Sequence, residues 1–323
     1  MITELTHTTA GRINKALTEG RANGSGGSGM VLTLVVVTDE ENAHDAVKAA
    51  TEASREHPSR ILAVIKRPAR GSRRRGEARV DAEVRIGAEV RIGADAGSGE
   101  TVLLRLYDEA VDHAESVVLP LLLPDAPVVV WWPADAPAAP AEDPLGALAQ
   151  RRITDTHAVD EPLRELAARA ASYAPGDTDL AWTRLTPWRS MLAAALDQVR
   201  ATVTSAVVES EPGNPSAELL ARWLTERLRV PVEQRATDGP VVTGVRLYTG
   251  SGEIRIDRPV GVTATLSITG QPTRTLALRV RSTAELIAEE LRRLDPDDAY
   301  AAALPTAVTP PSPPRANPEP EHA

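Results

Sequence analysis

Residues 30–38, MVLTLVVVT, are apolar and β-branched almost without interruption, the pattern of a strand buried on both faces in a parallel sheet. Behind it, Ala43, Ala46, Val47, Ala50 and Ala53 recur at helical spacing, and Thr38 with Glu41 reads as a capping box that opens the helix. RILAVIK (60–66) is the next strand, so the first unit is βαβ, with a right-handed crossover expected. The grammar then repeats. TVLLRLY (101–107) is a strand, Ala110, Ala114, Val117, Val118 and Leu121 stripe a helix, and PVVVWW (127–132) is the strand that follows.

Further along, TPWRSMLAAALDQVR (186–200) predicts a helix with Thr186 at the N-cap, Pro187 at N1 and an apolar stripe headed by Trp188. After it the pattern changes to a strand (TVTSAVVES), a capped helix (NPSAELLARWLTERL) and four short strand-like runs with turn signals such as TGSG and TGQP. Ser282 and Glu285 cap a closing helix. The fold class that results is α/β, an N-terminal mostly parallel sheet flanked by helices, followed by a C-terminal α+β domain with an antiparallel sheet. The expected division is a loosely attached helical arm and Gly/Ser linker (1–29), an α/β domain (30–200), an α+β domain (201–304) and a disordered Pro-rich tail (305–323). Residues 83–94, EVRIGAEVRIGA, are a tandem hexamer. An even-numbered copy keeps Val84, Ile86, Val90 and Ile92 on one strand face, so it reads as a local lengthening with no site attached.

Composition narrows the chemistry. The 323 residues carry a formal net charge of −9, and the 36 basic residues are dispersed apart from Arg73–Arg75, which argues against binding nucleic acid. Cys is absent, so thiol catalysis, thiolate metal sites and disulfide control are excluded. No apolar stretch reaches the ~18 residues of a membrane span and no basic-then-apolar leader opens the chain, so the expectation is a cytoplasmic protein without a membrane partner.

Glycine loops sit in the wrong places for a phosphate. GSGGSG precedes a strand instead of following one, TGSGE (249–253) lies between antiparallel runs, and the first strand ends in Asp39-Glu40-Glu41, which would repel a pyrophosphate. No two of the six histidines fall at ligand spacing and no G-x-S-x-G elbow occurs, so neither a metal nor a catalytic group is assigned, and no cofactor is expected. Arg55, His57 and Arg60 form the densest polar cluster: a possible seat for a phosphate or carboxylate, or simply basic residues favoured by a helix C-terminus. Trp182, flanked by Arg184 and Arg189, has the composition of an interface anchor, with burial in a core as the alternative. Trp131 and Trp132 point to opposite faces at the C-terminal end of a strand, where open α/β sheets have their crevice; the expectation is one buried and one near a functional surface, with both in the core as the other reading.

Four stretches in this order, ASREHPSRILAVI, LPLLLPDAPVVVWWP, LGALAQRRITDT and DLAWTRLTPWR, resemble the OpcA family of glucose-6-phosphate dehydrogenase assembly proteins, over about residues 30 to 300. The resemblance implies a non-catalytic partner that promotes oligomerisation and activity of glucose-6-phosphate dehydrogenase, at the NADPH-producing entry to the pentose phosphate pathway. Trp131, Trp132, Trp182, Arg184 and Arg189 are then the candidate partner-binding residues. Some members of the family respond to thioredoxin through cysteines, a control this chain has no thiol to operate. The alternative is a sugar-phosphate-binding α/β enzyme or sensor built on Arg55, His57 and Arg60.

Overall fold

The structure, a computed structural model, describes residues 2–22, 29–67, 86–92, 99–199, 201–258 and 262–305. The Gly/Ser linker at 23–28, most of the tail, and both the start and the end of the tandem hexamer lie outside them.

The first apolar run becomes β2 (Leu32–Thr38), preceded by β1 (Ile2–Leu5) and α1 (Ala10–Gly20). Then come α2 (Ala43–Ala53), β3 (Ser59–Arg67), β4 (Ile86–Ile92) and β5 (Glu100–Tyr107). The helix expected after β5 is broken into α3 (Glu109–Asp112), α4 (Ala114–Val118) and a 3₁₀ turn, but its apolar stripe is buried as the spacing requires. The sheet is completed by β6 (Val128–Trp131), β7 (Arg151–Thr154) and β8 (Asp177–Asp179), with α5 (Pro162–Ala171) between the last two. Strand order is β1-β4-β5-β3-β2-β6-β7-β8, and the six strands from β5 to β8 run parallel, with β4 alone reversed. The mostly parallel sheet read from the sequence is therefore present. In β4, Val90 is buried while Glu89 and Arg91 pair with each other at 2.6 Å, the alternation expected of the hexamer.

Two local expectations are corrected. The N-terminal helix is no loose arm, because Ile13 and Leu17 are fully buried against the β4–β5 side of the sheet and Thr9 caps it. The Thr38/Glu41 capping box does not form. Thr38 stays in the ladder opposite Ile65, and Asp39 accepts the backbone N–H of Asn42, the N-cap of α2, at 2.8 Å.

Short α6 (Leu180–Thr183) and α7 (Thr186–Leu196) lead to the second sheet, of β9 (Val203–Ser210), β10 (Val232–Ala236), β11 (Val242–Thr249), β12 (Gly252–Asp257), β13 (Thr263–Ile268) and β14 (Arg274–Ala277). Helix α8 (Pro215–Leu228) crosses from β9 to the parallel β10, and every other pairing is antiparallel. Thr186 is not the N-cap of α7; Leu185 holds that place and the Thr186 hydroxyl donates to Glu289 at 2.6 Å. The Ser282–Glu285 capping box does form and opens α9 (Thr283–Arg292), followed by α10 (Asp298–Ala303). Helix α9 returns to the first sheet: Leu286, Ile287, Ala288 and Leu291 share a core with Ala46 and Ala50 of α2, Leu34, Ile61 and Trp131. Helix α10 puts Tyr300 into the second core, under α8 and the antiparallel sheet.

Candidate functional site

The parallel sheet reverses its winding between β2 and β6, and a crevice opens there beyond the strand ends, the place where folds of this kind bind ligands. It measures about 350 Å³ and is lined by Thr38, Asp39, Lys66, Trp132, Asp135 and Asp143. A dinucleotide site needs a glycine turn here and free amides at the next helix N-terminus. Asp39 instead lays its own carboxylate on the Asn42 amide and side chain, at 2.8 to 3.1 Å. Asp143 likewise accepts the Leu145 and Gly146 amides. Gly146 has a steric reason to be glycine, since an added Cβ would fall 1.8 Å from the Pro140 carbonyl oxygen. A phosphate entering this crevice would meet the carboxylates of Asp39, Asp135 and Asp143.

Trp131 and Trp132 do point to opposite faces, Trp131 into the α2–α9 core and Trp132 into the core under α1 and α4. Both side chains are buried, at 1% and 2% exposure. Trp132 contributes a wall of the crevice from within.

The densest polar network lies where β7 and β8 end and the chain passes to the second sheet. Asp179 is fully buried and accepts from the Thr154 hydroxyl (2.6 Å), the Thr156 hydroxyl (2.9 Å) and the Ala181 amide (2.8 Å). Burial lifts its carboxyl above the usual range, the charge on Asp155 pushes the same way, and these donors pull it back. Asp155 forks onto Arg184 at 2.7 and 2.8 Å. Glu290, arriving on α9, takes Arg151 at 2.9 Å and the Thr183 hydroxyl at 2.6 Å. Trp182 is 1% exposed, donates its indole N–H to Asp297 at 2.8 Å, and has the Arg189 guanidinium 3.8 Å from its ring centre. The structure thus brings Trp182, Arg184 and Arg189 together, but as an internal joint between the sheets. The exposed-anchor reading of Trp182 is corrected: its indole is taken by Asp297 at the cap of α10, Arg184 by Asp155, and Arg189 donates to the Thr186 hydroxyl that in turn donates to Glu289 of α9.

His157 Nε2 lies 2.8 Å from the Ser216 hydroxyl, which in turn donates to the Ala181 carbonyl at 2.8 Å. With its single proton on that carbonyl, Ser216 accepts from the imidazole, the reverse of an activated serine. Burial, with Arg184 nearby, pulls His157 to a pKa of about 4, so the ring is neutral at pH 7.

Arg55 and Arg60 differ in burial, and His57 between them is half-buried. Arg60, the second residue of β3, faces Glu100 at the start of β5, grips it at 2.8 and 3.0 Å, and donates to the Leu121 carbonyl at 2.7 Å. It is 3% exposed, while Arg55 lies out on the surface of the helix end. Sequence reasoning missed the buried Arg151 and Arg152, which stand side by side in a four-residue strand with one apolar residue and so read as surface. Among the described residues no group of three His, Asp or Glu side chains is arranged to hold a metal, and no helix is long and apolar enough to cross a membrane.

Fold and joint together define a two-sheet α/β protein whose charged signature stretches face inward. Residues 50–171 match the family model described as glucose-6-phosphate dehydrogenase subunit N-terminal domain, and residues 175–304 match its C-terminal counterpart. The chain belongs to the OpcA family. A Synechocystis sp. relative, named as a candidate OxPP cycle protein OpcA, is 27% identical over 139 residues, covering 40% of this chain and 29% of the relative. The match thus spans under a third of that relative's length. Among solved structures, an oxidoreductase from Sinorhizobium meliloti is 11% identical with a TM-score of 0.41, each chain covered to 85%. A biliverdin reductase bound to biliverdin and NADP+ from Synechocystis sp. is 13% identical with a TM-score of 0.37, over 84% of this chain and 96% of the other. Likenesses this distant carry no chemistry to this chain.

Proposed function

We propose that this chain is a non-catalytic assembly factor and allosteric activator of glucose-6-phosphate dehydrogenase, acting in the cytoplasm in support of NADPH production by the oxidative pentose phosphate pathway. Membership of a family described as subunits of that dehydrogenase supports the partner. The observation that carries the non-catalytic reading is the crevice between β2 and β6, where Asp39, Asp135 and Asp143 set carboxylates at the place a dinucleotide phosphate would need. The alternative, a sugar-phosphate sensor built on Arg55, His57 and Arg60, is disfavoured by the commitment of Arg60 to Glu100.

The test is a pair of titrations. Added to purified dehydrogenase, the chain should shift its sedimentation toward a larger assembly and raise its turnover. Alone, it should neither oxidise glucose 6-phosphate nor bind NADP. Turnover by the isolated chain, or an unchanged dehydrogenase at saturating chain, would overturn the proposal.

A further inference from the structure

Beside the joint, a cleft of about 60 Å³ opens between the start of α7, the start of β11 and the segment leading into α9. Four guanidinium groups line it, on Arg184, Arg258, Arg279 and Arg281. Three are matched by carboxylates: Arg184 by Asp155, Arg279 by Glu285, and Arg281 by Glu289. Arg258 is not. It is 7% exposed, and its partners among the described residues are the Val242 carbonyl at 2.8 Å, the Leu278 carbonyl at 3.4 Å and the Trp188 ring, 5.4 Å away. Burial pulls its pKa below an arginine's ordinary value, and among the described residues no acid pulls it back.

A buried cation is ordinarily paired, and one held by carbonyls alone leaves room for an anion. The wall beside it is strained: Val241, a β-branched residue, is held at φ +56° with its carbonyl on the Glu211 amide, and the next carbonyl is the one facing Arg258. The cleft opens to solvent between these elements, so an anionic end can enter beside Arg258 while the rest of its carrier stays outside. At its mouth Val280 is 63% exposed, and Val262, equally exposed, accepts the backbone N–H of the lining residue Leu278 at 2.8 Å. A desolvated charge inside an apolar rim has the anatomy of a protein docking hot spot.

We propose that this cleft receives an acidic side chain of the partner protein, its carboxylate pairing with Arg258 while neighbouring apolar residues of the same segment rest on Val280 and Val262. The inference rests on the reading that the chain has a protein partner, the dehydrogenase. The experiment measures equilibrium binding of the full chain to purified dehydrogenase for wild type, Arg258→Met, Val280→Asp and Val280→Lys. Arg258→Met should weaken binding by about 10-fold or more, the scale of losing a buried charged anchor, with its melt still cooperative. Val280→Asp should bind more weakly than Val280→Lys, because both lose the same apolar contact and differ only in the sign of charge beside the entering carboxylate. Should Arg258→Met fail to fold, the exposed Val280 pair decides alone. Wild-type affinity in Arg258→Met, or equal losses in the two Val280 variants, overturns the inference and leaves the partner reading intact. Absence of binding by the wild type removes both. Acetate or glucose 6-phosphate raising the melting temperature of isolated wild type but not of Arg258→Met would assign the cleft to a free anion and overturn it as well.

Discussion

At His157, burial and the adjacent Arg184 hold the imidazole near a pKa of about 4, against an ordinary 6.5. The unfolded chain therefore takes up a proton below pH 6.5 that the folded chain refuses until about pH 4, so stability is complete above the first value and lost as pH falls toward the second. The interval corresponds to roughly 3 kcal/mol at ~1.4 kcal/mol per pKa unit. Asp179 works in the opposite sense, since its raised carboxyl favours the folded state at low pH, which is why His157 has to be isolated by substitution. His157→Gln keeps an N–H donor toward Ser216 and removes the titration. Urea midpoints at pH 7.5 and 4.5 should fall apart in the wild type and lie closer together in the variant; equal differences in both would place the proton elsewhere. At the same scale, Trp182 explains why a sequence motif could not be resolved into interface or core. Its flanking arginines are visible in the chain, but Asp297, 115 positions away, decides that its indole N–H is satisfied inside.

Among the elements, α9 was legible and β7 was not, for a physical reason. Helix caps are local: Ser282 and Glu285 hold each other's backbone within one turn, so spacing alone reveals them. Where a competing residue sits closer, as Asp39 does beside Thr38, the same spacing misleads. Strands β7 and β8 carry Arg151, Arg152, Asp177 and Asp179 inside a sheet, and charges read as surface until their partners are known. Arg152 finds Asp177 on the neighbouring strand, and Arg151 finds Glu290 at 139 residues' separation. Breaking one side of such a buried pair leaves an unmatched charge, so Arg151→Met or Glu290→Met should each destabilise by about 3–5 kcal/mol. The double variant Arg151→Met/Glu290→Met should recover part of that loss, read as a positive coupling in denaturant melts. Additive losses would mean that the pair is not what ties α9 to β7.

For the molecule as a whole, the parallel and antiparallel halves were legible because apolar runs and alternating runs have different periods, whereas the return of the chain end to the first sheet left no such mark. The change of grammar near residue 200 suggests a division there, with an α/β domain over 30–200. The packing of α9 sets a limit on it. Leu34 and Ile61 of the sheet, Trp131 at the end of β6 and Ala46 and Ala50 of α2 share their core with Leu286, Ile287 and Leu291, so one face of the parallel sheet is closed by residues from the far end of the chain. Leu34, Ile61 and Trp131 left uncovered would forfeit roughly 1.5–3 kcal/mol each, as much as the whole stability of many domains. A fragment ending at residue 200 should therefore fail to give a cooperative melt and should bind a hydrophobic dye. Adding a peptide of residues 282–305 should restore the cooperative transition, because Ser282 brings the cap of α9 with it and Glu290 brings the partner of Arg151. A fragment that melts cooperatively without the peptide would make the division at residue 200 a true domain boundary, with α9 an accessory laid over a face already stable without it.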